Sequence, residues 1–287
     1  MEFTNRLRFF LIGLLLLSLG QGDLCGSPRG ESLAEDSLLV GPKTEALPIL
    51  TYDTDVGFGY GVKVFFLNHL KCDESFDIVL FNSTKGERFY RLLFSMPDFE
   101  KRLGKAYLLA VDLIVEYDKW IKNNFFGIGN TSSYADKQVY TKEPLEVSLA
   151  LSRGFTPSVV GQIGLKYRVV RNFNFAEKSQ LVALPQNLNS SRVTTASLFL
   201  SFRYETRNSF INPSRGVVIQ GETEFAPRTA LSNVKFARLA ASLQHYVMLF
   251  EPKTVLALRL GVQSLLGDDL SVQVLLPLGV NSTLRGA

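Results

Sequence analysis

Five separate stretches of this chain alternate between apolar and polar residues with a period of two, which restricts the fold more than any motif does. From Tyr107 to Tyr117 the odd positions read Tyr, Leu, Val, Leu, Val, Tyr, whereas the even ones include Asp112 and Glu116. Leu145, Val147, Leu149 and Leu151 oppose Glu146 and Ser148. Ile163, Leu165, Tyr167 and Val169 oppose Gln162, Lys166 and Arg168. Leu198, Leu200, Phe202 and Tyr204 oppose Ser201, Arg203 and Glu205, and Leu256, Leu258, Leu260 and Val262 oppose Arg259 and Gln263. Successive side chains of a strand point to opposite sheet faces, so these are two-faced β-strands. At about ten residues or more they exceed the five or six usual in soluble sheets.

Outside the first twenty residues no apolar run reaches the roughly 18 residues of a transmembrane helix. In hydrocarbon every backbone polar group needs a protein partner, so only helices or closed barrels span it. Long strands with tyrosines at the ends of apolar stripes and charges on the other face therefore predict an all-β, antiparallel transmembrane barrel. A soluble secreted β-sandwich alternates too and remains the rival on pattern alone. The net charge of +4, from 31 Lys+Arg and 27 Asp+Glu, comes without a basic stripe of interleaved aromatics and excludes a nucleic-acid reading. Two cysteines and two histidines are too few for a zinc cluster or a disulfide framework.

Arg6 and Arg8 precede the apolar stretch Phe9–Leu19, which ends among Ser18, Gly20 and Gly22. That order reads as a signal peptide over 1–22 of an exported protein. Residues 23–48, with Ser27, Pro28, Gly30 and Pro42, read as a flexible leader, and 49–287 as the barrel domain. Cys25 falls near the mature start, and a bond to Cys72 is open in an oxidising compartment. Ten strands are expected, at about 55–68, 75–83, 87–97, 105–118, 144–154, 158–171, 193–206, 215–226, 234–250 and 253–265. The longer connections are 119–143, 172–192 and 266 onward. Gly57, Gly59 and Gly61 share one face of the first strand, expected inward, where they leave room for a packed element. A Rossmann fingerprint has another spacing and needs a helix next.

Four segments in order resemble the bacterial surface antigen family, the BamA/TamA-type outer-membrane barrels. Gly57-Phe-Gly-Tyr-Gly61, after Pro48 and Tyr52-Asp53, is similar to its first barrel strand. Asn124-Phe-Phe126-Gly127-Ile-Gly129-Asn130 is similar to a loop motif after the fourth strand. Glu205, Arg207, Pro213 and Gly216 match a D-x-R-D…P-x-x-G hairpin, with glutamate for the first aspartate and Asn208 for the second acid. Leu284, Arg285 and Gly286 match the tip of the long sixth loop, with Ala287 where an aromatic is usual. The resemblance implies that this loop folds into the lumen and that its arginine pairs with wall carboxylates; a solvated arginine at a chain end is the alternative.

The resemblance further implies a barrel of about sixteen strands. About ten are read here, so the chain is expected to be incomplete, with a natural ten-stranded barrel as the rival. It also implies insertion or translocation of proteins at the outer membrane, with client strands pairing at a weak seam beside the first strand. The 23–48 leader has no room for a POTRA domain. A passive pore or structural surface-antigen barrel is the alternative, and a soluble secreted binding protein the second. Expected partners are outer-membrane lipids and unfolded outer-membrane client proteins, with no nucleic acid and no small-molecule substrate. His69 and His245 have no G-x-S-x-G partner, and Asp268-Asp269 reads as a turn, so no enzymatic, metal or cofactor site is expected. The inward charges Asp112, Glu116, Lys166, Arg168, Arg203, Glu205, Glu222, Glu224 and Arg259 are mixed in sign and suit a hydrated lumen.

Overall fold

The computed structural model describes residues 41–128, 134–175, 191–250, 254–268 and 270–276. The signal peptide, the leader up to residue 40, Gly129, Asn130 and the Leu284-Arg285-Gly286 motif lie outside the described residues. Eleven strands form one antiparallel sheet in sequence order: β1 Lys43–Asp53, β2 Gly57–Leu67, β3 Ser75–Ser83, β4 Arg88–Met96, β5 Tyr107–Phe125 and β6 Gln138–Thr156, then β7 Val159–Phe173, β8 Arg192–Glu205, β9 Gly216–Ala226, β10 Phe236–Phe250 and β11 Thr254–Leu266. A single short helix, α1 (Phe99–Arg102), interrupts the β4–β5 connection.

The expected count of ten is corrected to eleven. The extra strand is β1, which takes in the end of the expected leader and pairs with β2 from Lys43↔Leu67 to Asp53↔Gly57. Pro48 and the charges Lys43 and Glu45 read as leader in sequence, yet all three suit an edge strand. Proline is tolerated where an N–H has no ladder partner, and charge discourages edge association. The glycine-bearing strand is therefore the second, not the first, and it is paired on both sides, by β1 and β3. Among the described residues no ladder joins β1 to β11, so these two strands bound the sheet.

β5 and β6 are 19 residues each and extend well into the expected loop 119–143. At about 3.4 Å per residue they outreach a hydrocarbon core of about 30 Å. Beyond that core both faces are hydrated, so the alternation fades while the pairing continues. The longest connections (126–137, 174–191 and after 266) all lie at one end of the sheet, together with the short turns 54–56 and 84–87, and no connection at the other end exceeds 97–106 or 206–215 in length. In outer-membrane barrels these ends are extracellular and periplasmic, respectively.

The parity of the strands sorts the residues as the alternation predicts. Leu149, Leu151, Ile163, Leu165, Leu198, Leu200, Phe202, Leu258 and Leu260 stand on the outer face, 42–72% exposed in the isolated chain. An apolar surface so continuous needs lipid against it.

Bulges interrupt the parity of β5, β6 and β10. Ala110 pairs with Ser152 but Tyr107 with Gly154, so β5 carries an extra residue there. That bulge turns Tyr107 to the inner face, where its hydroxyl lies 3.2 Å from Ser152 Oγ, instead of capping the lipid-facing stripe.

Candidate functional site

The inner face of the sheet encloses two unlike compartments. Toward the extracellular end, the chain after β11 turns back and lays residues 270–276 against the wall. The signal is local: Leu270, Val272, Val274 and Leu276 alternate with Ser271 and Gln273. Val274 is buried with Val193, Ala226, Val234 and Phe236, and Leu265 and Leu270 pack against this cluster. Val272 packs beside Phe125 and Tyr140.

Polar side chains run through this region too, with Thr195, Ser197, Ser271 and Gln273 buried alongside Glu224. Glu224 on β9 is 4% exposed, accepts from Ser197 Oγ at 2.7 Å and lies 3.2 Å from Arg238 Nη1. Arg238, directly opposite on β10, donates from Nη2 to the carbonyl of Val274 at 3.3 Å. A buried carboxylate is tolerated only when paired and hydrogen-bonded. Here its arginine partner also holds the folded-back segment. Sequence reasoning placed Glu224 inward but missed Arg238 and Val274, because neither belongs to a motif.

The periplasmic half is hollow. A cavity of about 970 Å³ is lined by Arg102, Asp112, Arg203, Glu205, Glu222 and Arg259 among others, and Leu276 reaches it from the folded-back segment. Arg102 enters from helix α1 with its side chain 7% exposed and pairs with Asp112 on β5. Asp112 also accepts from Ser95 Oγ at 2.6 Å, and Arg102 Nη1 donates to Ser152 Oγ at 3.3 Å.

The helix is aimed by its own cap and by the neighbouring turn. Asp98 caps it by accepting from the amide of Glu100, and the Asp98 amide donates to the Asp73 carbonyl at 2.7 Å. Lys101 pairs with the Asp73 carboxylate. In that β2–β3 turn, Glu74 is buried and accepts from the amides of Leu70 at 2.6 Å and Cys72 at 3.1 Å. Desolvation alone would raise its pKa, but these bonds and those from the amides of Glu74 itself and His69 outweigh it and hold the carboxyl below its ordinary value. Cys72 in the same turn is disulfide-bonded.

The remaining inner charges match across strands. Arg91 faces Glu116 at 3.7 Å and Arg168 faces Glu146 at 3.6 Å, each as a direct cross-strand pair. Lys166 lies over the Phe199 ring at 5.3 Å. Such pairing neutralises the wall without giving it one sign.

The motif residues fall into three places. Gly57, Gly59 and Gly61 face inward on β2, and a Cβ on Gly59 would stand 2.5 Å from the Phe81 ring, so the glycine admits that aromatic from β3. In the β8–β9 hairpin, Glu205 receives both Arg203 and Arg207, and Asn208 Oδ1 accepts from the amides of Ser214 at 3.0 Å and Arg215 at 3.1 Å. Asparagine thus closes the turn around Pro213 by accepting amides, as a carboxylate would. Gly216 closes it with a φ of 115°, where a Cβ would lie 2.4 Å from the Thr206 carbonyl. At the extracellular end Phe125 is buried and Gly127 has a φ of 110° directly after Phe126. The structure thus brings Glu205 to the cavity and leaves the glycines and the Phe126 loop in separate parts of the wall. His245 stands on the outer parity of β10, and His69 Nε2 lies 3.0 Å from Thr44 Oγ1.

The architecture matches known barrels. The chain is similar to the crystal structure of BamA from Haemophilus ducreyi lacking POTRA domains 1–3, with 16% identity and a TM-score of 0.52 over 78% of this chain and 41% of that one. At that identity the likeness concerns the fold, and the chain spans less than half the length of the BamA chain it matches. No curated protein matches it. The Omp85 superfamily domain matches residues 74–286, from the β2–β3 turn onward. An all-β sheet of eleven strands with a lipid-facing exterior, carrying that domain over most of its length, is a BamA/TamA-type barrel of the outer membrane, and the chain belongs to the Omp85 superfamily.

Proposed function

We propose that this protein inserts or translocates client polypeptides at the outer membrane, with the outer edge of β1 as the place where a client strand pairs. The carrying observation is the position of β1: an eleven-residue strand with β2 on one side and no described strand on the other. A strand edge in hydrocarbon leaves N–H and C=O groups unpaired, which is costly, so it recruits another strand. The seam first read beside the glycine strand moves one strand outward. The reading involves no nucleotide, cofactor or enzymatic step. To test it, cysteines replace Leu50 or Ile49 on β1 and scan the terminal strand of a client barrel during assembly. Register-specific disulfide adducts are expected. Their absence, together with normal barrel assembly after depletion of this protein, would sink the proposal.

The hollow periplasmic half of the lumen favours a second reading, a passive pore. Stable conductance in planar bilayers, with no effect of depletion on other barrels, would favour the pore.

A further inference from the structure

The periplasmic mouth of the hollow half is covered by a segment that charge, more than packing, holds in place. Phe99, Arg102, Leu103, Gly104 and Lys105, all from the β4–β5 connection, line the cavity of about 970 Å³. The neighbouring connections at that end contribute less to its lining, Pro157 and Ser158 from the β6–β7 turn and Phe210 from the β8–β9 hairpin. A helix of four residues has no stability of its own, so its neighbours must fix α1 where it lies. Arg102 is its one buried residue, and Phe99 is exposed. Neither buried apolar cluster among the described residues includes a residue of 97–106.

Two polar attachments remain, and they differ in kind. On the inner side Arg102 reaches Asp112 on β5 and Ser152 on β6, with the rings of Phe99 at 5.6 Å and Tyr107 at 5.9 Å beside its guanidinium. On the outer side Lys101 pairs with Asp73, both of them exposed. Exposed pairs contribute little, whereas a buried pair is costly to break because it strands a charge. The inner pair is therefore the latch and the outer pair a strut. The latch is also incomplete: Arg102 Nε is buried without a hydrogen-bond partner, which disfavours the closed position relative to a fully paired one.

A pivot lies next to the latch. Gly104 takes a φ of 65°, and a Cβ there would meet nothing within 4 Å. Its left-handed backbone favours glycine, and the open space around it leaves the chain room to swing. We infer that α1 is a gate over the periplasmic mouth of the lumen, latched by Arg102 to Asp112 and pivoting at Gly104. Closed, it screens the polar lining of Ser201, Arg203 and Glu222 from the periplasm. Open, it admits polar, water-borne solutes to that lining. The gate depends on the hollow lumen and the orientation of the barrel, not on strand pairing at β1.

The test is the rate at which a cysteine replacing Ser201, on the cavity wall, reacts with a maleimide carrying a bulky polyethylene glycol chain. The full chain is used in lipid nanodiscs, and peptide mapping reads the label at position 201 alone. Thr195→Cys, buried in the filled half, is the control. Slow labelling at 201 is expected while Arg102 and Asp112 are intact. Arg102→Gln or Asp112→Asn is expected to accelerate it roughly tenfold or more, the ratio that one charge-assisted hydrogen bond carries, with position 195 unchanged. Lys101→Gln, which removes only the strut, is expected to accelerate it about twofold. Rapid labelling behind the intact latch, no acceleration in the latch variants, or equal acceleration at 195 and 201 overturns the inference. Heat-modifiable migration reports folding. Should neither latch variant fold, Gly104→Ala leaves the latch in place and strains the pivot, and is expected to accelerate labelling roughly fivefold. Gly104→Asn, which tolerates the left-handed backbone, is expected to stay near the wild-type rate. Equal rates for these two variants overturn the inference.

Discussion

The two halves of the lumen are built from the same strands yet solve opposite problems. In the extracellular half, residues 270–276 fill the space, with Val193, Ala226, Val234 and Phe236 closing on Val274 and with Thr195, Ser197 and Gln273 buried beside them. In the periplasmic half a cavity of about 970 Å³ remains, bounded by charged and amide side chains and partly roofed by helix α1 through Arg102. The difference is legible within one strand. Glu222 and Glu224 occupy the same face of β9, two residues apart, but the first is exposed in the hollow half and the second is buried in the filled one. Identical chemistry thus becomes a solvated lining in one place and a structural clasp in the other.

Glu224→Ala tests that contrast most severely. It leaves Arg238, half-buried beside Val274, without its carboxylate, so the loss should approach but stay below the roughly 3–5 kcal/mol of a fully buried broken pair. Glu222→Ala should stay within about 0.5 kcal/mol. Urea titrations of the two variants in lipid vesicles would measure the gap, and equal losses would end the distinction between the halves.

Val274→Ala is the next largest. It removes two methyl-sized groups from the buried cluster, for about 1–3 kcal/mol. Protease should then cut sooner within 270–276, with the β-sheet signal unchanged. If susceptibility stays at the wild-type level, the packing of this segment is not what fills the extracellular half.

Acid should produce the smallest effect, and at the other end. The Glu74 carboxyl is held below its ordinary value, so the folded turn binds its proton less readily than the unfolded chain does. Its contribution is complete above the unfolded value of about 4.3 and is lost as pH falls through the lower folded value. Amide exchange at Leu70 and Cys72 should accelerate over that range while amides in the filled half stay protected. Glu74→Gln should abolish this pH dependence.

Much of the wall could be read from the residues because lipid on one face and a hydrated lumen on the other impose a period of two on long strands. The strands over 75–83 and 216–226 coincide with or nearly match the expected ones. Three features were hidden for physical reasons. β1 lacks a clean stripe, because an edge strand with Pro48 and charges resembles a leader. The bulge at Tyr107 is invisible to alternation, which assumes one partner per residue. The clasp of Glu224, Arg238 and Val274 joins three segments whose proximity only the register defines. The expectation that Arg285 anchors a folded-back loop concerns residues outside the described ones. The inward fold of 270–276 is carried instead by Val274, with Leu270 and Val272 packed against the wall and Ser271 and Gln273 buried between them.

The bulge at Tyr107 and Ala110 gives β5 a change of alphabet partway along its length. From Val111 to Lys119 odd numbers face lipid; at Tyr107 the odd position faces water. A one-residue deletion between them would leave every pair above the bulge intact while rotating Tyr107, and the polypeptide leading into it, by half a turn. Helix α1 would then carry Arg102 away from Asp112 and toward the bilayer. Which side of the wall the β4–β5 connection serves is thus set by a single residue count, a quantity that insertions and deletions alter more readily than substitutions do.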